Sequence, residues 1–170
     1  WSHIYKLVEL EPCVDRLYLI NDSLIGPLTD HMLDAVIQKI RASSSDFIGL
    51  TANTEPIFHV QSFFLVIGKK LLNDQKFNQF FKNLWNLPTK DMVIDFYEKR
   101  LTGLVNSLGC QVQVLFDTRH LKNNKSDSVI HSVTDLLEMN FPYVKTSMAL
   151  KPEGAAVLNQ FPDCSSNFKA

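Results

Sequence analysis

The chain has 170 residues, 45% hydrophobic and 21% charged, a composition that fits one globular domain with its own core and excludes a disordered or fibrous class. Its 17 basic and 18 acidic residues leave a formal net charge of -1, so no global field recruits nucleic acid or an anionic membrane surface. Cys13, Cys110 and Cys164 lack both zinc-ligand spacing and the density of a secreted disulfide scaffold, no apolar run reaches the roughly 18 residues of a membrane span, and the N-terminus lacks a signal-peptide pattern; a cytoplasmic protein is expected.

The first predicted element is a strand over 16–20, whose continuous apolar run Leu17 to Ile20 implies burial on both faces and which empties into Asn21-Asp22-Ser23. Thr29 is a candidate cap for a helix carrying Met32, Leu33, Val36, Ile37 and Ile40, broken by Ser43-Ser44-Ser45. Residues 46–50 read as a second strand, 51–56 as a loop and 58–67 as a third strand ended by Gly68-Lys69-Lys70. Phe77, Phe80, Phe81, Leu84 and Trp85 fall on one stripe of an amphipathic helix, a core face. A second long stripe runs from Met92 through Val93, Phe96, Tyr97, Leu101, Leu104 and Val105 to Leu108, with Gly109 placed for a left-handed cap. Cys110, Val112, Val114 and Phe116 alternate with glutamines as a half-buried strand; 117–127 is polar loop, 128–139 a third helix, and nothing beyond Lys151 carries a pattern. Strands alternating with helices predict an α/β layer architecture.

Four polar clusters interrupt this apolar framework: Asn21-Asp22-Ser23, His59-Val60-Gln61-Ser62, Tyr97-Glu98 and Phe141-Pro142-Tyr143-Val144-Lys145. Together with Gly26-Pro27-Leu28, 46–51 and Leu101-Thr102, and in this order, they resemble the rhamnan synthesis protein F family of glycosyltransferases over about 16–150. The resemblance implies a GT-A-like mixed sheet flanked by helices, in a partial domain over 1–150 followed by a C-terminal tail over 151–170, and an enzyme that builds rhamnose-containing cell-surface polysaccharide. Its partners would be a nucleotide-sugar donor, a deoxythymidine-diphosphate sugar, and a saccharide or lipid-linked acceptor, met in the cytoplasm or at the inner membrane face through partners. A complete GT-A domain places nucleotide-binding units upstream of the strand that here starts near residue 16, and the chain lacks an initiator methionine; an upstream nucleotide-binding half is expected on a longer parent.

The segment from Glu98 to Val112 also resembles the acidic motif of inverting GT-A enzymes, which implies Glu98 as general base on the acceptor hydroxyl. Its alternative is a solvated glutamate paired with Arg100 or Thr102. Asp22, with Asn21 and Ser23, would meet a divalent Mg or Mn ion and the donor diphosphate, where the family pattern usually has two carboxylates; otherwise the three residues shape a turn. His59 and Gln61 are two apart and share a strand face, which suits sugar or donor oxygens, or for His59 a purely structural hydrogen bond. Lys145 is a candidate phosphate ligand or a surface lysine. His59 beside Ser62 lacks the glycine elbow of a hydrolase, and His31, His120 and His131 show no metal spacing. The competing function is a non-catalytic carbohydrate- or protein-binding module, which predicts that Asp22 and Glu98 lie apart; the transferase reading predicts that Asp22, His59, Gln61 and Glu98 meet in one cleft.

Overall fold

The computed structural model describes residues 5, 13–119, 129 and 133–165. In chain order the elements are β1 (Arg16–Ile20), β2 (Leu24–Ile25), α1 (Asp30–Ala42), β3 (Phe47–Gly49), β4 (Ala52–Asn53), β5 (His59–Val60), β6 (Phe64–Gly68), α2 (Lys69–Leu72) and α3 (Gln75–Lys82). A continuous helix α4 follows, α-helical over Lys90–Val93, π-helical over Ile94–Glu98 and α-helical again over Lys99–Ser107. Then come β7 (Val112–Val114), α5 (Val133–Glu138), β8 (Val144–Lys145), a 3-10 turn (Thr146–Met148), α6 (Pro152–Asn159) and α7 (Pro162–Ser165).

The main sheet has the order β1-β6-β3-β7, with β6 antiparallel to both neighbours and β3 parallel to β7. Alternation along β6 explains the layers. Leu65 and Ile67 face a core with Leu19, Phe47, Phe77, Phe81, Leu101 and Val105, supplied by α3 and α4, while Phe64 and Val66 face a core with Val36, Ile40, Ile48, Phe116 and Phe141, supplied by α1 and later segments. The protein is therefore a mixed α/β fold with helices on both faces of a mixed sheet, as expected. A second two-stranded sheet pairs β2 with β8, and a third pairs β4 with β5.

Two local expectations hold for the reasons they were made, the Thr29 cap and the Gly109 stop, and Arg16 adds a tie the sequence did not announce. Thr29 accepts the Met32 N–H at 3.2 Å as the α1 cap. Gly109 adopts φ +63, and the Gly109 and Cys110 N–H groups return to the Asn106 and Val105 carbonyls, closing α4 with a Schellman motif. Arg16 donates to the Ile40 and Ser43 carbonyls, tying β1 to the end of α1.

Others are corrected. Among the described residues β1 is a sheet edge, paired only with β6, and Tyr18 and Ile20 are exposed instead of being buried on both faces. The third strand breaks at 61–63 into β5 and β6. The aromatic stripe of α3 ends early: Asn83 caps the helix after Lys82, Leu84 is half-buried and Trp85 is 77% exposed, held through its backbone N–H to the Tyr97 hydroxyl. Of the 128–139 helix, Val129 and Val133–Glu138 are described; 128, 130–132, most of the 117–127 loop, and with them His120 and His131, lie outside the described residues. Beyond Lys151, α6 packs Val157 and Leu158 against Ile25, Leu28, Met32, Val144 and Met148, and the missed signal was Pro152 at the first helical turn.

Candidate active site

Because β6 runs against β1, β3 and β7, the start of β6 lies at the same sheet edge as the ends of the parallel strands. That edge is where open α/β sheets gather ligand chemistry. The residues just after β1 and just before β6 meet there, and the β2–β8 pairing, which opposes Leu24 to Lys145, brings in a third segment; the Thr146 N–H donates to the Ser23 carbonyl at 2.9 Å. Gly26 makes that approach feasible, since a Cβ there would stand 2.5 Å from the Pro142 oxygen. The result is a cleft of about 320 Å³ walled by Asn21, Ser23, His59, Gln61, Glu98 and Lys145, with Ser62, Phe63 and the first turns of α4 between them.

Glu98 is not a solvated helix-face residue. Its side chain is 12% exposed, one carboxylate oxygen accepts the Ser62 N–H, and the other lies 3.9 Å from His59 Nε2. It does not open a helix either; it is the last residue of the π segment inside α4, a wide turn that offsets the faces before and after it. The two partners considered for it are engaged elsewhere: Thr102 Oγ1 accepts the Val60 N–H at 2.9 Å and Arg100 lies over the Phe96 ring.

His59 is 2% exposed, and its Nδ1 lies 2.8 Å from the Ile57 carbonyl oxygen. A carbonyl only accepts, so the hydrogen is on Nδ1 and Nε2 is directed to the Glu98 side. Gln61, also buried, accepts from the Thr51 hydroxyl at 2.6 Å. Lys145 is 7% exposed, with its ammonium 5.4 Å from the Phe63 ring centroid, so it is a wall of the cleft and not a surface lysine. Asn21 accepts from the Ser23 N–H at 3.0 Å and from its hydroxyl, an Asx turn.

Asp22 stands apart from the others. It is exposed at the tip of that turn and does not wall the cleft, although both its neighbours do. Among the described residues no three His, Cys, Asp or Glu side chains gather as a metal site, and Asn21 already spends its oxygen on Ser23, so these donors by themselves do not fit a cation cage. Sequence reasoning missed Asn53, Lys90, Thr146 and Ser147, which also wall the cleft. The polar run after Val144 was a usable signal for the last two; nothing in the patterning marked Asn53 or Lys90.

These features define the class: a mixed α/β protein whose charged and amide side chains converge on a sugar-sized cleft at the carboxyl edge of its parallel strands. The chain belongs to the rhamnan synthesis protein F family, whose profile matches residues 8–162. It is similar to the virulence protein VirA of Vibrio anguillarum, 26% identical over 145 residues that make up 84% of this chain and 43% of that protein. It is also similar to the uncharacterized protein y4gN of Sinorhizobium fredii, 28% identical over 104 residues, or 59% of this chain and 27% of that protein. The chain thus spans less than half the length of these relatives. No solved structure matches it. Among the described residues no helix is long and apolar enough to cross a membrane.

Proposed function

We propose that the chain is the acceptor-side part of a GT-A-like glycosyltransferase that adds a sugar, rhamnose from a deoxythymidine-diphosphate donor, to a growing cell-surface polysaccharide. The observation that carries this reading is the meeting of Glu98, His59, Gln61 and Lys145, from three separate segments, in one cleft. Membership in a family named for rhamnan synthesis supplies the polysaccharide.

Glu98 is the general base. Its second oxygen, 3.9 Å from His59 Nε2, leaves a position where an acceptor hydroxyl can donate to the carboxylate with its oxygen beside the imidazole. Glu98 takes the hydroxyl proton as the oxygen forms its bond to the anomeric carbon; the bond from that carbon to the diphosphate breaks and its electron pair leaves with the diphosphate, inverting the centre. The Ser62 N–H fixes the carboxylate orientation, and the Ile57 carbonyl fixes the imidazole. Lys145 meets the negative charge developing on the diphosphate, aided by the amide of Gln61.

The test is turnover of a nucleotide-sugar panel by the full-length protein, with and without Mn²⁺, comparing wild type with Glu98→Gln. The amide keeps an acceptor for Ser62 but cannot take a proton, so turnover is expected to fall about 10²–10⁴-fold while the melting temperature is held. Undiminished turnover removes Glu98 as the base; saccharide binding without any turnover favours the non-catalytic module.

A further inference from the structure

A departing diphosphate gains negative charge as its bond to the sugar breaks, and a divalent ion is one way to offset that charge. The GT-A pattern assigns the ion to acidic residues at the end of β1, and the cleft does not have them in place. Asp22 stands outside it, exposed at the tip of the Asn21 turn. Asn21 Oδ1 is committed to the Ser23 N–H at 3.0 Å and to the Ser23 hydroxyl. Among the described residues, Glu98 is the one carboxylate that walls the cleft, and it gives one oxygen to the Ser62 N–H and holds the other beside His59. A magnesium site is usually built on one or two carboxylates together with the substrate's phosphates. Here the carboxylate on offer is the one the reaction needs as its base.

The cleft holds two ammonium groups where the pattern has acids. Lys145 is buried, with its ammonium 5.4 Å from the Phe63 ring centroid, so its position is set before any ligand arrives. Lys90 enters the same cleft from the first turn of α4, just after the Thr89 cap, and is exposed, so its flexible stem can follow a charge as it moves. Ser147 adds a hydroxyl at the wall. The Thr146 hydroxyl beside it is directed back to the Ser23 carbonyl at 3.4 Å, which pins the turn that carries Ser147. Two ammonium groups attract a diphosphate and repel a dication, so the side chains suited to neutralise the leaving group also oppose occupancy by a metal. We infer that Lys90 and Ser147 complete, with Lys145, a diphosphate site that works without a divalent ion. The inference rests on the transferase reading for the identity of the ligand, and it departs from the GT-A pattern at the point where that pattern relies on a metal.

The probe is deoxythymidine diphosphate, titrated calorimetrically into the full-length protein in excess EDTA and again in excess Mn²⁺. Affinity is expected to agree within about threefold between the two buffers. Lys90→Met removes the charge and keeps the stem, and is expected to weaken binding by about 10-fold or more; Ser147→Ala removes a neutral donor and should weaken it about 2–10-fold. Asp22→Asn should leave the affinity unchanged, whereas a metal cage built on that carboxylate would lose it. Added salt should weaken binding by the wild type more than by Lys90→Met. Turnover of the nucleotide sugar in each buffer is the second readout, and a thermal melt of each variant separates loss of fold from loss of binding. Binding that needs Mn²⁺ overturns the inference and leaves the transferase reading standing. Metal-free binding that Lys90→Met leaves unchanged overturns it with the same consequence. Metal-free binding weakened by Lys90→Met, but with no turnover in either buffer, supports the diphosphate site and sinks the catalytic reading. No binding in either buffer overturns both.

Discussion

Thr102 offers the sharpest test of how the cleft is held together. In the β4–β5 pair, the Gln61 N–H reaches the Thr51 carbonyl at 3.1 Å, so by antiparallel alternation the intervening pair Ala52–Val60 is the non-hydrogen-bonded one. The Val60 N–H accordingly points away from β4, into the interior, and Thr102 Oγ1 accepts it at 2.9 Å where Val60 is 2% and Thr102 1% exposed. Thr102→Val keeps the shape and leaves that buried N–H without a partner, a cost of about 1–3 kcal/mol. Thr102→Ser keeps the oxygen and removes one methyl, costing about 1 kcal/mol. In a chain of this length about 2 kcal/mol lowers the melting temperature by roughly 4–8 °C. Urea unfolding is the assay: the Val variant should show the lower midpoint with an unchanged slope. If the Val variant matches or exceeds the Ser variant in stability, the N–H has another partner and the account of β5 as pinned by α4 is wrong.

Four further outcomes are expected. Gly49→Ala should destabilise by about 1–3 kcal/mol, because its Cβ would stand 2.1 Å from Val60 Cγ1, and pairing it with Val60→Ala should recover part of the loss in denaturant melts. Gly109→Ala has open space around its Cβ but a φ of +63, so it should cost only about 1–2 kcal/mol from backbone strain, with no rescue by neighbouring truncations. Iodoacetamide should label exposed Cys13 well before Cys110, whose thiol is pushed up mainly by burial and further by the Asp46 carboxylate, and mass spectrometry of the time course reads the order. Burial raises the Tyr143 phenol above its usual value, so its neutral form is favoured in the folded state; that stability is present below the unfolded pKa of about 10 and is lost as pH rises through the folded value, and Tyr143→Phe should flatten the alkaline decline seen in melts from pH 9 to 11.

The parts of the fold that could be read from the chain are those where one periodicity acts alone. α1 and the core of β6 follow from spacing, as does the Gly109 stop, because burial on one stripe or on both strand faces leaves a direct imprint on residue choice. The break at 61–63 left no such imprint: Val60 before it, Phe63 within it and Phe64 after it are all buried, so the run looks unbroken. β1 misled for the opposite reason, since Tyr18 and Ile20 are apolar yet sit at an exposed edge. The π segment of α4 is invisible to any fixed period, and it is the feature that sets which face Glu98 shares. For the cleft, Glu98, His59, Gln61 and Lys145 were legible as polar residues in apolar surroundings, but their meeting depends on the direction of β6 and the β2–β8 pairing, which are properties of topology and not of local sequence.

The reversal of β6 also accounts for why the candidate base is where it is. Asn21 donates its N–H to the Phe63 carbonyl at 3.1 Å, the last bond of the β1–β6 ladder, and the chain turns at Ser62 before another strand can pair with it. The Ser62 N–H is therefore left at the mouth of the cleft without a ladder partner, half-buried, in a place where a missing acceptor costs free energy. Glu98 fills that vacancy with one oxygen and keeps the other beside His59. The same backbone defect that ends the sheet thus selects a carboxylate at this point of α4 for structural reasons, and an amide would serve that end equally well. Only the second oxygen distinguishes the two residue types, because a glutamine would offer an acceptor hydroxyl no proton-accepting charge. For that reason Glu98→Gln, and not Glu98→Ala, separates the carboxylate's chemical role from its architectural one.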